Sequence, residues 1–273
     1  MTAGRGTPGG RIARAFAAAR GERRCALIPY VTAGDPDLRR TRAIVRALAR
    51  GGADVVEIGV PFSDPIADGP VNQRAAERAL RKGVTLRSCL DLAAELRADG
   101  SPPVVLFTYY NPIHRMGPET FAMAAAASGV DGVLVTDLPP EEAGDLRGAL
   151  AGSRVDLIFL LSPTSSRERV DRVCREASGF VYFVSRTGVT GAREDLPEGL
   201  AEQVGSARRV SPVPVAVGFG ISGPEQVKAI AAYADGVVVG SALVRIVEEK
   251  SASPDLEASV EAFCRTLSGS LRG

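Results

Sequence analysis

The chain has 273 residues, 45% of them hydrophobic, and a net charge of +1 from 33 basic and 32 acidic residues spread along its length. This length suits one large α/β domain, and the balanced charge excludes the basic surface expected of a nucleic-acid or membrane-surface protein. No stretch approaches the ~18 uninterrupted apolar residues of a membrane span, so we expect a cytoplasmic protein that binds neither nucleic acid nor membranes.

The chain opens with an arginine-rich segment in which we expect residues 1–10 to be disordered and Arg11–Arg20 to form an amphipathic helix. Short apolar runs then alternate with helix-like stretches. The predicted strands are Ala26–Val31, Val55–Gly59, Val104–Thr108, Gly132–Thr136, Asp156–Leu160, Phe180–Val184, Val213–Val217 and Gly236–Val239. The predicted helices between and after them are Leu38–Arg50, Leu86–Ala98, Pro118–Ala127, Glu141–Ala151, Ser166–Glu176, Leu196–Ala207, Pro224–Ala232, Leu243–Glu249 and Leu256–Leu267.

Strict alternation of strand and helix predicts parallel strands joined by right-handed crossovers. The apolar runs are continuous, as expected for strands covered on both faces. We predict a single (β/α)8 barrel domain over residues 1–273, with an extra N-terminal helix and a long loop after the second strand. An open doubly wound sheet is the alternative, and the lack of a nucleotide-binding first turn disfavours it.

The cysteine and histidine content restricts the chemistry. The four cysteines are far apart and form no CxxC pair, which indicates reduced thiols. His114 is the one histidine, so Ser-His-Asp triads and His-rich metal sites are excluded or disfavoured. Acid–base catalysis must then depend on carboxylates.

Glu57 interrupts the apolar run of the second strand. Burying a carboxylate without a partner is costly, so it either pairs with a distant arginine or backbone amide, or acts as an acid–base group at the barrel mouth. We favour the catalytic interpretation, because barrel catalysts come from strand ends. Asp68 and Asp64 follow in the long loop, where the sequence fits an ordinary turn as well as a functional role.

Glycine-rich turns follow three late strands. The segment from Gly218 to Gly223 matches G-x-G-x-x-G, yet a dinucleotide site also requires an acidic residue at the end of the next strand, which here ends in Gly240-Ser241. Together with the turn Thr187–Gly191, these glycines predict a phosphate site in which backbone amides and a helix N-terminus at Ser241 contact the anion.

Five longer motifs stand out in chain order: Tyr30–Pro36, Glu57–Pro70, Thr108–Pro112, Ser185–Gly191 and Gly218–Ser222. With these motifs the chain resembles the tryptophan synthase α subunit family from about Arg11 onward. The resemblance implies cleavage of indole-3-glycerol phosphate to indole and glyceraldehyde 3-phosphate. It implies no cofactor or metal in this chain, since pyridoxal phosphate is expected only in a partner β subunit that would dock through the Pro61–Pro70 loop to form an α2β2 complex.

By the same resemblance, Glu57 is the main acid–base residue and Asp68 pairs with the indole N–H. The residues implied in substrate binding are Tyr30, Tyr109, Tyr182, Thr190, Gly191, Gly218, Gly220, Gly240 and Ser241. The tyrosines could equally be core aromatic residues. At Asn72 the family usually has an aliphatic residue, which bears on how the loop closes.

Two other functions stay open at this point. A stand-alone lyase would release free indole without a partner, and Asn72 in the partner-facing loop is the feature that favours it. A binding and activating subunit with weak activity is the second, and it is disfavoured because such a scaffold would gain stability by replacing a buried Glu57.

Overall fold

The computed structural model describes residues 9–185, 197–218 and 220–271. Within them lie parallel strands β1 Ala26–Thr32, β2 Val56–Gly59, β3 Val104–Thr108, β4 Gly132–Val135, β5 Asp156–Leu161, β6 Val181–Val184, β7 Val215–Gly218 and β8 Gly236–Val239. The helices are α1 Arg11–Gly21, α2 Leu38–Arg50, α3 Pro70–Arg81, α4 Leu86–Ala98, α5 Tyr110–Met116, α6 Pro118–Ala127, α7 Gly144–Leu150, α8 Arg167–Glu176, α9 Leu200–Val210, α10 Pro224–Ala231, α11 Ser241–Lys250 and α12 Leu256–Gly269.

The strands close into a barrel in sequence order. Each strand pairs in parallel with the next, and β1 pairs with β8 through Ala26 and Gly236. The prediction of a (β/α)8 barrel is therefore confirmed, and the open sheet is excluded. In such a barrel the active site lies at the carboxyl ends of the strands.

Helix α1 closes the opposite end of the barrel. Its buried side chains Ile12 and Phe16 belong to the same core cluster as the side chains that fill the barrel interior. A side chain added at Gly132 would meet Ile12, and one added at Gly236 would meet Phe16, so glycine lets the helix approach the starts of β4 and β8. Burying two such side chains contributes ~1.5–3 kcal/mol each.

The connection after β2 contains a helix that the sequence analysis did not assign. Helix α3 begins at Pro70 in its first position, after Gly69. Arg78 holds it in place through a two-bond ion pair with the buried Asp35 and a further ion pair with Glu248 on α11. The loop between β2 and α3 is therefore the ten-residue segment Val60–Gly69.

Cys25, Cys89, Cys174 and Cys264 are buried and form no disulfide bonds. No helix in the described part of the chain is both long and apolar enough to cross a membrane. The segment 1–8, most of the stretch for which disorder was expected, lies outside the described residues.

Candidate active site

Glu57 lies in the middle of β2 with its side chain inside the barrel. Its neighbours in register are Tyr30 on β1 and Val105 on β3, both members of the interior core cluster. The residue is 1% exposed, and neither carboxylate oxygen has a hydrogen-bond partner among the described residues. Burial alone raises the pKa of Glu57 to about 8. The distant arginine or amide that the structural interpretation required is not found in the described part of the chain.

Asp68 lies at the end of the loop after β2, immediately before the N-terminal end of α3. It is buried, and burial raises its pKa to about 6, while hydrogen bonds from Tyr109 and from the side chain of Asn72 act in the opposite direction. The Tyr109 hydroxyl donates to Asp68 Oδ2 at 3.0 Å. Asp68 is therefore a fixed, buried acceptor and not a solvent-exposed turn residue.

Tyr109 connects the loop after β2 to the end of β3. Its hydroxyl accepts a hydrogen bond from the Ala67 amide at 3.0 Å, and its ring stacks on Phe62 with 4.9 Å between centroids. The same hydroxyl therefore holds both the backbone and the carboxylate of the loop, so the position of Asp68 depends on Tyr109. Asp64 in this loop is exposed and accepts a hydrogen bond from the Ser63 hydroxyl.

Two tyrosine hydroxyls occupy space that glycines leave free at strand ends. A Cβ added at Gly59 would lie 2.0 Å from the Tyr30 hydroxyl, and one added at Gly218 would lie 2.2 Å from the Tyr182 hydroxyl. Both tyrosines are buried, and burial raises their pKa values well above the ordinary value. They are thus neutral hydroxyls held inside the barrel.

Glu57, Tyr30 and Asp68 lie close enough to Tyr182 to act on it electrostatically, so the four residues belong to one site. The pKa of Tyr182 is raised first by burial and then by Glu57, Tyr30 and Asp68, although these residues come from four different strands or loops. At pH 7 a carboxyl with a pKa of about 8 is mostly protonated, whereas one with a pKa of about 6 is mostly ionised. The site can therefore donate a proton from Glu57 and stabilise positive charge at Asp68.

The glycines expected at the phosphate site follow β7 and β8. Gly218 ends β7, Gly220 follows it with a φ of 77°, and Gly240 precedes Ser241, the first residue of α11. A Cβ at Gly240 would lie no closer than 3.6 Å to Tyr30, so the protein itself does not require glycine there. Thr190 and Gly191 lie outside the described residues.

The helix α11 presents a free N-terminus at this rim. It has ten residues, no side chain caps it, and the amides of Leu243 and Val244 already bond to the Gly240 carbonyl. The amides of the first helical residues have no partner within a helix, and the helix dipole favours an anion near them. No group of three or more His, Cys, Asp or Glu side chains in the described ranges is arranged to bind a metal ion.

Comparison with known proteins identifies the family. The family model "Tryptophan synthase alpha chain" matches residues 16–271. The chain belongs to the tryptophan synthase alpha chain family. It is a lyase of the alpha reaction. It is 50% identical to the alpha chain of Geobacter sulfurreducens over 94% of this chain and 97% of that protein, and 52% identical to that of Geobacter sp. strain M21 over 90% and 92%.

Solved structures agree with this family assignment. Tryptophan synthase from Mycobacterium tuberculosis superposes with a TM-score of 0.89 at 39% identity, covering 97% of this chain and 99% of that chain. The tryptophan synthase alpha subunit of Legionella pneumophila superposes with a TM-score of 0.88 at 38% identity, covering 96% and 98%. The stand-alone lyase and the weakly active subunit are not favoured by relatives of this name and similarity.

Several features of the site were not predicted from the sequence. The hydrogen bond of Tyr109 to Asp68 joins residues far apart in the chain, and no local pattern indicates it. The pairing of Gly218 with Tyr182 is of the same kind. Helix α3, in contrast, has a recognisable sequence signal, because proline is favoured in the first position of a helix.

Proposed function

We propose that this protein cleaves indole-3-glycerol phosphate to indole and glyceraldehyde 3-phosphate, with Glu57 and Asp68 as its catalytic residues. The observation that supports this most is Glu57, a wholly buried carboxyl group whose two oxygens have no partner among the described residues. Burying an unpaired carboxyl group costs folding free energy, and a bound substrate would supply the missing hydrogen-bond partners.

The retro-aldol reaction requires two proton transfers that Glu57 can make in turn. With its pKa raised to about 8, Glu57 begins protonated at neutral pH and donates its proton to the indole ring carbon that bears the side chain. The resulting Glu57 carboxylate then accepts the proton of the glycerol hydroxyl next to that bond. The carbon–carbon bond breaks, the hydroxyl carbon becomes the aldehyde, the bonding electrons return to the ring, and Glu57 is protonated again.

Asp68 compensates the positive charge that protonation places on the indole ring. Its pKa of about 6 leaves it mostly ionised at pH 7, and Tyr109 fixes one of its oxygens. A fixed acceptor needs no reorganisation when charge develops on the ring nitrogen, which is the condition for strong stabilisation of a transition state. Tyr30 and Tyr182 line the same pocket as neutral hydroxyls.

The phosphate of the substrate would bind at the rim between β7 and β8. The backbone amides of Gly220, Gly240 and Ser241, with Gly191 from the segment outside the described residues, would form this site. Thr190 of the same segment is proposed to act beside Asp68 instead. The free N-terminus of α11 supports it, because unpaired amides and the helix dipole attract an anion. A bulky residue in place of Gly240 should weaken binding of the substrate and leave the two carboxylates unchanged.

A tryptophan synthase β subunit is the proposed partner, in a cytoplasmic α2β2 complex. Pyridoxal phosphate would belong to that subunit, with neither cofactor nor metal in this chain. The docking surface would be Pro61–Pro70, where Ile66 is 81% exposed and Asp64 is also exposed. Docking at this loop would remove the Ile66 side chain from water, which favours association.

Indole release from indole-3-glycerol phosphate, with and without a purified β subunit, tests the proposal. We expect weak activity alone and a stimulation of roughly 5- to 150-fold by the β subunit, which is typical of coupled sites. Asp64→Ala should reduce the stimulation and leave the basal rate unchanged. Full activity that no β subunit alters would instead indicate a stand-alone lyase, and absence of cleavage under both conditions would refute the catalytic assignment.

A further inference from the structure

The side chain of Asn72 lies beside Asp68 in the first turn of α3. Its side chain interacts with the Asp68 carboxyl and acts to lower the pKa of that group. Its carbonyl oxygen Oδ1 is buried and has no hydrogen-bond partner among the described residues. Native proteins seldom keep a buried polar atom unpaired, and each case calls for a physical reason.

An ordinary helix-terminus role does not explain Asn72. It is the third residue of α3, not the N-cap, and the N-cap Gly69 provides no side-chain hydrogen bond to the helix. Within the described part of the chain, the other buried side-chain oxygens without a partner are the two of Glu57. The unpaired acceptors therefore belong to residues of one site, where a bound substrate can supply the missing donors.

We propose that Asn72 is a positioning residue for Asp68, whose amide holds the carboxylate in place while its carbonyl oxygen accepts a hydrogen bond from an N–H or O–H group of the bound substrate. The proposal rests on the proposed function, because it requires Asp68 to contact that substrate. Two donors from different elements then hold the carboxylate: Tyr109 after β3 and Asn72 on α3. Gln73 donates to the backbone oxygen of Asp68 at 2.8 Å and not to its carboxylate, which Tyr109 and Asn72 contact.

The titratable groups around Asp68 determine which residue each limb of the pH profile of kcat/KM reports. Tyr30 on β1, Tyr182 on β6 and Tyr109 after β3 interact electrostatically with Asp68, and all three stay neutral through the working range because burial raises their pKa values. Glu57 on β2 acts on the same Tyr30 and Tyr182 hydroxyls. The acidic limb of the pH profile of kcat/KM should therefore follow Asp68, and the alkaline limb Glu57.

Two variants separate the roles of Asn72. Asn72→Leu keeps a similar volume and removes both polar atoms, whereas Asn72→Asp keeps an oxygen acceptor and removes the amide donor. Glu77→Leu is the matched control, because Glu77 is an exposed residue of the same helix that pairs with Arg81 at the surface. For each protein, kcat, KM for indole-3-glycerol phosphate, the pH profile of kcat/KM and the melting temperature are measured.

For Asn72→Leu we expect kcat/KM to fall about tenfold or more, the usual effect of losing a hydrogen bond to a charged group. Its acidic limb should move to higher pH, because a donor that favours the ionised carboxylate is lost. Its melting temperature should stay equal or rise, because the unpaired buried oxygen is gone. Asn72→Asp should move the acidic limb further, since a second carboxyl then adjoins Asp68, and the control should behave as wild type.

Two results would overturn the proposal. One is an Asn72→Leu protein with the wild-type kcat/KM and acidic limb. The other is a loss of activity in both variants that comes with a lower melting temperature and an unmoved acidic limb, which would make Asn72 a structural residue. Cleavage by the wild-type protein is measured first and tests the proposed function by itself, so a failure there is distinct from a failure of the comparison between variants.

Discussion

Replacing Glu57 by glutamine should make the protein nearly inactive and, in alkaline solution, more stable. Burial raises the pKa of Glu57 from 4.5 to about 8. Between these values the folded protein retains a proton that the unfolded chain releases, so the free energy of unfolding falls as the pH rises. The stability is fully present below pH 4.5 and lost through the folded pKa. At ~1.4 kcal/mol per pH unit, the loss reaches ~5 kcal/mol near pH 8.

Urea unfolding of the wild type and of Glu57→Gln at about pH 5 and about pH 8.5 measures this effect. The variant has no group to titrate, so the difference in unfolding free energy between the two proteins should grow with pH by several kcal/mol. Its rate of indole release should fall by ~10²–10⁴, as for other positioned acid–base groups. Glu77→Gln, at an exposed surface position, is the control and should show neither change. A stability difference that is independent of pH, or a normal turnover, would refute the reasoning.

Three further changes test the surroundings of the site. Asp68→Asn keeps an acceptor for Tyr109 and for the ring N–H but carries no charge, so we expect kcat to fall by ~10²–10³ in the indole assay. Tyr109→Phe removes a donor to the Asp68 carboxylate, so the pKa of Asp68 should rise. The acidic limb of the kcat/KM profile should then move to higher pH. Arg78→Ala leaves the buried Asp35 without its ion pair and should lower the unfolding free energy by ~3 kcal/mol in urea, whereas Arg81→Ala, from an exposed pair, should cost below ~1 kcal/mol.

The barrel was predictable because its signals are local and repeated. Continuous apolar runs alternating with helix-like stretches require parallel strands covered on both sides, and that pattern leaves few topologies. The sequence does not predict helix α3, because the proline-rich segment before it is typical of a long loop. Gly69-Pro70 is in fact the start of that helix, as its capping geometry shows.

The sequence indicates a functional role for Glu57 more strongly than for Asp68. Glu57 stands out because a charged residue in an apolar strand has a large desolvation cost, which is a property of its own strand. Asp68 has no such signal, since an Asp-Gly pair occurs in ordinary turns. Its burial and its hydrogen bond from Tyr109 depend on the loop folding over the end of β3, and only the three-dimensional structure contains that contact.

Gly218 illustrates why a residue type alone does not define a role. In the sequence it belongs to a glycine-rich turn and fits a phosphate site. In the structure its carbonyl accepts the Ser185 amide at 2.8 Å, and its missing side chain leaves room for the Tyr182 hydroxyl. Gly59 likewise leaves room for the Tyr30 hydroxyl. Because a methyl group at either glycine would displace a hydroxyl beside Glu57, these glycines shape the pocket from within the strands, and the proposed phosphate contacts are left to the amides beyond them.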